Sequence, residues 1–387
     1  MHIENVAVVG AGIAGLTTAL AFARRGIACD LFEQTPELTE VGAGLQVSPN
    51  AARLLAKLGL LPQFEAVWTE PRQIALVSGT TLRPLAHVPA GEFARQRWGA
   101  PYGVLHRATL QRVLREAVDA SPLCTLHLQT PVREAPHLTL GQLTGRSYPL
   151  VVGADGVWST LRATIEGSPR PSFSGHVCWR FTISDPLVPG WLSRDQVTAF
   201  LGPSTHLVAY PLREIGGFNM VAIASGASPG RTWDAQATES HRQRLFGEFR
   251  RWDRRVVDLL RQAERPTFWP LFEVGTGRWH NGRDTVLVGD AAHAVTPFAA
   301  QGASMAIEDA FALVRCVCEA TDLTQALSTY QASRQERVAK VRSRGAFNRF
   351  AYHARGPIRL GRDVVLSLRP PESLAADLDW LYGYKAD

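Results

Sequence analysis

The chain has 387 residues, 45% of them hydrophobic and 20% charged, with a formal net charge of +6 at pH 7. That length suggests two or three domains, or one large domain with a lobe, around a substantial core, and the composition is that of an ordinary soluble globular protein. The basic balance suits capture of an anionic substrate or a nucleotide, whereas nucleic acid is excluded as a partner because the arginines are not interleaved with aromatic platforms.

The chain opens on Met1-His2-Ile3-Glu4, without the basic start of a signal peptide, and its first apolar stretches are broken by Gly and by Arg24-Arg25. No membrane span is expected, and a cytoplasmic location is the default. From Asn5, the run NVAVVGAGIAGLTTALAFARRGIACDLFEQ reads as a strand, a glycine turn, an amphipathic helix and a second strand ending at Glu33. Gly10 makes the tight turn, Gly12 lets backbone approach a pyrophosphate, and Gly15 lets helix meet strand. The helix N-terminus offers free amides and a partial positive charge to phosphates, and the Glu33 carboxylate can accept hydrogen bonds from a ribose diol. The ligand so indicated is an adenine dinucleotide, FAD or NAD(P).

Next in the chain, SYPLVVGADGVWSTLR from Ser147 carries an apolar strand that breaks at a Gly before Asp155. From SFSGHVCWRFTI near Phe173 to FNMVAIAS near Ser225, successive strands are separated by Pro/Gly turns, a sheet able to form one wall of a pocket. Its central strand lies in STHLVAYPLREIGG, where His206 and Tyr210 project from one face with backbones roughly 13 Å apart. Periodicity alone makes them sheet packing; a pocket in front of the strand makes them proton-handling groups. Arg180 and Arg213 are candidates for a substrate carboxylate.

A third segment, DTVLVGDAAHAVTPFAAQGASMAIEDAFAL from Asp284, repeats the strand that breaks at a Gly before an Asp and then enters a helix through AQGA. Asp290 can accept hydrogen bonds from ribityl hydroxyls, and the helix opening near Gly302 aims amides at a flavin's phosphates or pyrimidine edge. A chain that meets one ligand near residues 10, 155 and 290 folds back on itself, as FAD requires and an NAD-only dehydrogenase does not. His293 lacks a third ligand at suitable spacing, so no metal site is expected. The five cysteines are scattered and odd in number, which argues against a disulfide framework. From Arg334 to Arg362 the arginines fall among apolar and small residues, the pattern of a solvated helical face.

GAGIAG at Gly10, EVGAGLQVSPNAARLL from Glu40, LHRATLQRVL from Leu105, GADGVWS from Gly153, YPLR from Tyr210 and GDAAH...PFAAQGASMAIEDA from Gly289 together span nearly the whole chain. With these segments the sequence resembles the FAD-dependent aromatic hydroxylases, the single-component monooxygenases that include salicylate hydroxylase, 3-hydroxybenzoate 6-hydroxylase and 6-hydroxynicotinate 3-monooxygenase. The resemblance implies an α/β fold with a Rossmann-like FAD-binding domain, an interleaved sheet-based substrate domain and a helical C-terminal region. The expected division gives 1–70, 101–170 and 276–325 to the FAD-binding domain, 71–100 and 171–275 to the substrate domain, and 326–387 to the helical region. It further implies that Glu33 holds the adenosine ribose, Arg107 and Gln111 reach the ribityl-pyrophosphate region, Val132 meets adenine through backbone, and Asp290 binds the ribityl chain. Asp155 is linked in the family to both FAD and NAD(P)H. Ile13, Ala14, Gln34, Pro297, Gly302 and Ala303 complete the expected cofactor contacts, with Gln301 beside the flavin and the substrate ring. Ala300 stands where the usual pattern has the first of two Gly flanking that Gln.

The implied chemistry has NADH or NADPH reduce FAD and O2 form a flavin C4a-hydroperoxide, whose distal oxygen is attacked by an electron-rich ring activated by a protein base. In family members acting on 3-hydroxybenzoate and 6-hydroxynicotinate, a His-x-x-x-Tyr pair in this strand serves the substrate, and His206 and Tyr210 match it. The hydroxynicotinate enzyme has a His where this chain has Gln46, which can hydrogen-bond but is no base at neutral pH, so proton handling shifts to His206. The expected substrate is a small phenolic carboxylate of the salicylate or 3-hydroxybenzoate type, bound by a monomer or homodimer. A heteroaromatic substrate, such as a hydroxypyridine carboxylate or urate, and a flavin oxidase or reductase that inserts no oxygen are the alternatives.

Overall fold

The computed structural model describes residues 3–38, 44–133, 136–227, 237–263 and 266–386, so Glu40 to Ala43 of one motif lie outside the described residues. In chain order the strands are β1 (Asn5–Val9), β2 (Ala28–Phe32), β3 (Gly44–Val47), β4 (Gln73–Ser78), β5 (Pro84–Pro89), β6 (Gly103–His106), β7 (Cys124–His127), β8 (Val151–Gly153), β9 (Pro171–Ser184), β10 (Gln196–Gly202), β11 (Thr205–Leu212), β12 (Gly217–Ser225), β13 (Thr267–Val274) and β14 (Thr285–Leu287). Among the described residues, five form a parallel sheet in the order β14-β8-β1-β2-β7. Val6 to Val9 of β1 are all buried, as a strand covered on both faces requires. The glycine turn leads from β1 into helix Ile13–Ala23, which packs against helix Gly302–Glu319.

The second sheet runs β13-β9-β12-β11-β10-β4-β5, antiparallel throughout except where β10 meets β4. The alternation along its strands divides its residues between two environments. Leu207, Ala209, Phe218, Met220, Ala222, Val177 and Trp179 pack on Leu245, Phe249, Val256 and Leu260 of helices Glu239–Phe249 and Arg254–Arg261. The opposite face turns toward the parallel-sheet unit: Tyr210 and Leu212 join that unit's core, and Cys178 and Ile223 pack with Phe298. β11 is the central strand, so His206 and Tyr210 stand at the junction of the two units.

The C-terminal helices depart from the expected solvated face. Helix Leu323–Tyr352 buries Arg334, Arg337, Val338, Val341 and Gly345, one side of the helix. The reason is the pair of carboxylates opposite them. Arg334 places Nε 2.7 Å from Asp309 Oδ1 and Nη1 2.8 Å from Glu308 Oε2, and all three side chains are 0% exposed. Arg337 adds a 2.8 Å contact to Glu308 Oε1 and donates to the carbonyls of Trp380 and Leu381. Burial by itself would raise the Asp309 carboxyl; His293 and Arg334 outweigh it and hold that group below the usual carboxylate range. No helix among the described residues is long and apolar enough to cross a membrane.

Removing one partner from such a cluster strands a buried charge. Arg334→Ala is expected to lower stability by about 3–5 kcal/mol, measured by urea denaturation, with a substantially smaller loss for the exposed pair partner Lys340→Ala.

Candidate active site

Three chain segments converge as one cradle. A Cβ on Gly10, whose φ is +101°, would lie 2.5 Å from the Ala154 carbonyl oxygen, and one on Gly15 would lie 1.8 Å from the Gly10 oxygen. A Cβ on Gly289 would lie 2.9 Å from that of Ala14 and 3.3 Å from that of Ala306. The turn after β1, the start of the Asp155 loop and the turn after β14 are therefore in van der Waals contact through glycines. Gly12 and Gly302 differ: a Cβ on either meets nothing within 4 Å, so their backbones face open space.

The side chains around this space fit a dinucleotide. Glu33 follows β2 and accepts from the amides of Ala11 at 2.9 Å and Thr35 at 3.0 Å, which fixes its carboxylate beside the glycine turn. Gln111, in helix Arg107–Asp119, donates to the Ala11 carbonyl at 3.3 Å, and Arg107 opens the same helix one turn earlier. Asp155 Oδ2 accepts from the Thr160 and Leu161 amides, while its buried Oδ1 has no partner among the described residues. Val132 is buried, with its carbonyl accepting from Thr160. Asp290 is exposed at the start of the turn Asp290–His293, whereas His293 points inward to Asp309 at 2.5 Å. Ile13 is buried in the core, Ala14, Pro297 and Ala303 are half-buried, and Gln34 is exposed. Open backbone at two glycines, an unpaired buried carboxylate oxygen and the free amides of an 18-residue helix give this space the donors and acceptors that FAD needs.

Gln301 caps that helix, yet its amide is already engaged. Nε2 donates to Ser48 Oγ at 3.0 Å and Oε1 accepts from Asn50 Nδ2 at 3.1 Å; Asn50 also donates to Glu308 at 2.6 Å. Gln301 is thus buried in a polar network with the end of β3, which locks the loop it terminates. Ala300, in the place of the usual Gly, adopts φ +51°, a left-handed conformation that disfavours any side chain by about 1–2 kcal/mol.

Along β11 the two expected proton-handling residues lie under different roofs. Tyr210 is covered by β3, where a Cβ on Gly44 would lie 2.7 Å from its ring, and burial raises its hydroxyl above the ordinary tyrosine value. Opposite it on β12, Asn219 accepts from the Gly44 amide at 2.8 Å and leaves its Nδ2 unpaired among the described residues. His206 sits beside Leu201 of β10 and is 2% exposed, with Phe298, Tyr352 and His353 rings at 5.3, 5.4 and 5.0 Å. Burial, then the neighbouring His353 and His176, push His206 well below the ordinary histidine value, so it is a neutral imidazole at pH 7. Arg180 is half-buried on the Tyr210 side, but Arg213 is exposed in the turn Arg213–Ile215.

A cavity of about 510 Å³ adjoins this face. Leu201, Ile74, Leu76 and Val88 form its sheet wall, Phe298 to Ala300 one rim, and helices Leu323–Tyr352 and Gly356–Leu368 the opposite side. Gln46 and Tyr102, hydrogen-bonded to each other, close one end. Of its cations, Arg362 pairs with Asp363 and Arg369 with Asp377, each at 2.6 Å, whereas Arg344 has no carboxylate partner among the described residues and its Nε is buried without a hydrogen bond. The Arg344 charge reaches the Tyr352 and Tyr382 hydroxyls. Arg344, Tyr102 and His353 were not among the sequence-based candidates. For Arg344 a signal existed, since it falls on the same helical stripe as Arg334, Arg337 and Val341.

The family described as FAD binding domain matches residues 4–344. The chain belongs to the FAD-dependent aromatic hydroxylases. This hydroxylase is 35% identical over 395 residues to 3-amino-4-hydroxybenzoate 2-monooxygenase PtnB3 of Streptomyces platensis, an alignment covering 100% of this chain and 97% of the relative. It is 33% identical over 392 residues to 3-hydroxybenzoate 6-hydroxylase 1 of Aquipseudomonas alcaligenes, covering 99% and 98%. The fold is shared with a salicylate hydroxylase substrate complex, at a TM-score of 0.79 and 21% identity over 99% of this chain and 96% of that one. The hydroxylase is an FAD-dependent monooxygenase, and FAD is its cofactor.

Gly12→Ala separates ligand space from packing. The hydroxylase carrying it should melt like wild type without FAD yet bind FAD about tenfold more weakly or worse, a loss of about 1.4 kcal/mol, in a flavin-fluorescence titration. The buried histidines give a pH dependence of defined sign. His353 is pushed down to about 3, first by burial and then by His176, Arg349 and Arg355. Its contribution to stability is complete above the ordinary value of about 6.5 and is lost progressively as pH falls toward 3. Melting temperature should therefore fall between pH 7 and pH 5, and His353→Gln should flatten that slope.

Proposed function

We propose that this hydroxylase takes electrons from NADH or NADPH and inserts one oxygen atom of O2 into a small phenolic carboxylate of the hydroxybenzoate type. The observation that carries this is Arg344, the one arginine of the cavity lining that meets no carboxylate among the described residues, where Arg362 and Arg369 are each paired. A half-buried guanidinium with an unpaired Nε suits an anionic ligand of matching planar geometry. The two full-length relatives at 33–35% identity are named for 3-hydroxybenzoate and 3-amino-4-hydroxybenzoate, which supports the same substrate class.

Reduced FAD, when bound, supplies an electrophilic oxygen to the ring. The chain's own part is positional and protonic. Arg344 holds the carboxylate, Phe298 and Tyr352 exclude water, and the Gln46 and Tyr102 pair orients the ring by hydrogen bonding. His206 accepts the phenol proton at Nε2, which raises the electron density of the ring where oxygen is to be transferred. Its neutral state at pH 7 is the one a base needs. Tyr210, kept protonated by burial, serves as a hydrogen-bond donor on the flavin-facing side of the sheet.

The test offers 3-hydroxybenzoate, its methyl ester and phenol to the FAD-loaded protein with each nicotinamide under labelled O2. The acid should stimulate oxidation and acquire one labelled oxygen, and the neutral analogues should not; oxidation without label would make the protein an oxidase. Arg344→Gln should raise KM for the acid about 10- to 100-fold while kcat stays within about threefold. An unchanged KM would remove the carboxylate from Arg344.

A further inference from the structure

A base that is 2% exposed needs a route by which the proton leaves. His206 Nδ1 lies 2.8 Å from Nε2 of His353, a hydrogen bond between two imidazoles 147 residues apart. Phe298 and Tyr352, which also line the cavity, touch the His206 ring at centroid distances of 5.3 and 5.4 Å, and β10 and β12 flank it. His353 follows the last turn of helix Leu323–Tyr352 and is partly exposed, so it spans the distance from the buried strand toward solvent. Backbone fixes it at both ends: its amide donates to the Arg349 carbonyl at 3.0 Å, and its carbonyl accepts from the Ser204 amide at 3.1 Å. The second of these bonds ties the helix end to the turn two residues before His206.

The charges around the pair favour passage over storage. His176 of β9 faces both rings of the pair's surroundings, 5.6 Å from His353 and 5.2 Å from Phe298, with its Nδ1 set against the Ser174 carbonyl at 2.9 Å. Arg349 and Arg355 face His353 from the helix end and the segment after it, Tyr352 faces His206, and Glu273 of β13 acts on His176. No carboxylate among the described residues is hydrogen-bonded to His206 or His353, so nothing nearby stabilises an imidazolium. An imidazole in that field is a poor store for a proton and a good conduit for one, provided an acceptor waits on its far nitrogen.

We infer that His353 is the proton outlet of His206, a positioning residue through which the phenol proton leaves the site. The phenol O–H breaks as the His206 Nε2–H forms; His206 gives its Nδ1 proton to His353 Nε2; His353 releases its own Nδ1 proton to water. One proton leaves, both rings end neutral with exchanged tautomers, and no electrons are transferred. The outlet presupposes the assignment of His206 as base.

The experiment follows ionisation of bound 3-hydroxybenzoate by stopped-flow ultraviolet absorbance, using FAD-loaded protein. His353→Gln should keep FAD and substrate affinity within about twofold but ionise the phenol about 10- to 100-fold more slowly at pH 7. The rate should recover as pH rises toward the phenol's own pKa, and added imidazole should restore it in His353→Gly. Wild-type rates across pH in His353→Gln, or a loss that neither pH nor imidazole relieves, would overturn the outlet. Should neither variant fold, a proton inventory of the same step in wild type in H2O/D2O mixtures decides: a curved inventory is expected, and a linear one overturns it. His206→Gln separates the two claims. Wild-type ionisation in that variant sinks the base assignment itself, whereas loss there with wild-type behaviour in His353→Gln sinks the outlet alone.

Discussion

Two adjacent carboxylates, Glu308 and Asp309, are buried in the middle of the helix whose N-terminus faces the cofactor space, and the rest of the site depends on how they are neutralised. An uncompensated charge at either position would cost several kcal/mol. Asp309 spends its oxygens on Arg334, the Gly289 amide and His293. That choice fixes the turn carrying Asp290 against the glycine loop. Glu308 takes Arg334, Arg337 and Asn50, and through Asn50 it holds Gln301 and Ser48. Cofactor cradle, rim loop and C-terminal helix are thus set by one cluster of ion pairs with no access to water.

On the other side of the cofactor space the constraint is the pleat of the sheet. A residue at an even position of β11 must face the flavin-binding unit because the odd positions are committed to the helices behind. A one-residue slip of register would put Leu207 and Ala209 into the junction and bury His206 and Tyr210 against Leu245 and Phe249. The β-wall therefore presents an imidazole and a phenol at fixed heights, and the cavity beside them is shaped by residues from the C-terminal helices. The left-handed Ala300 belongs to the same arrangement: it is held there because Gln301 is tied down on one side and the Pro297–Ala299 turn on the other.

Much of this was legible in the sequence, and the failures have physical causes. The glycine spacing, the acid after each strand and the alternation of β11 encode local backbone requirements, so they could be read from adjacent residues alone. Arg334 and Arg337 were misread as solvated because helical periodicity shows which residues share a face but not that the opposing face carries Glu308 and Asp309. Gln301 is expected beside the flavin and the substrate ring by resemblance; that its amide engages Ser48 and Asn50, residues some 250 positions earlier, is visible only in the fold. His353 gave no local cue, and the helical stripe shared by Arg344 and Arg337 does not say that it converges on a site whose other members lie on β3 and β11. Arg213, by contrast, looked equivalent to Arg180 until the fold put it on an exposed turn.

Arg337 bonds to the carbonyls of Trp380 and Leu381, Arg53 bonds to that of Tyr384, and Tyr382 lines the cavity. One wall of the cavity is therefore made by residues between 374 and 382, some 370 positions from the glycine turn at residue 10. During synthesis this cavity cannot close until residues 374–382 have left the ribosome, long after the strands that form its sheet wall. A change anywhere in residues 374–382 therefore acts on the shape of that cavity.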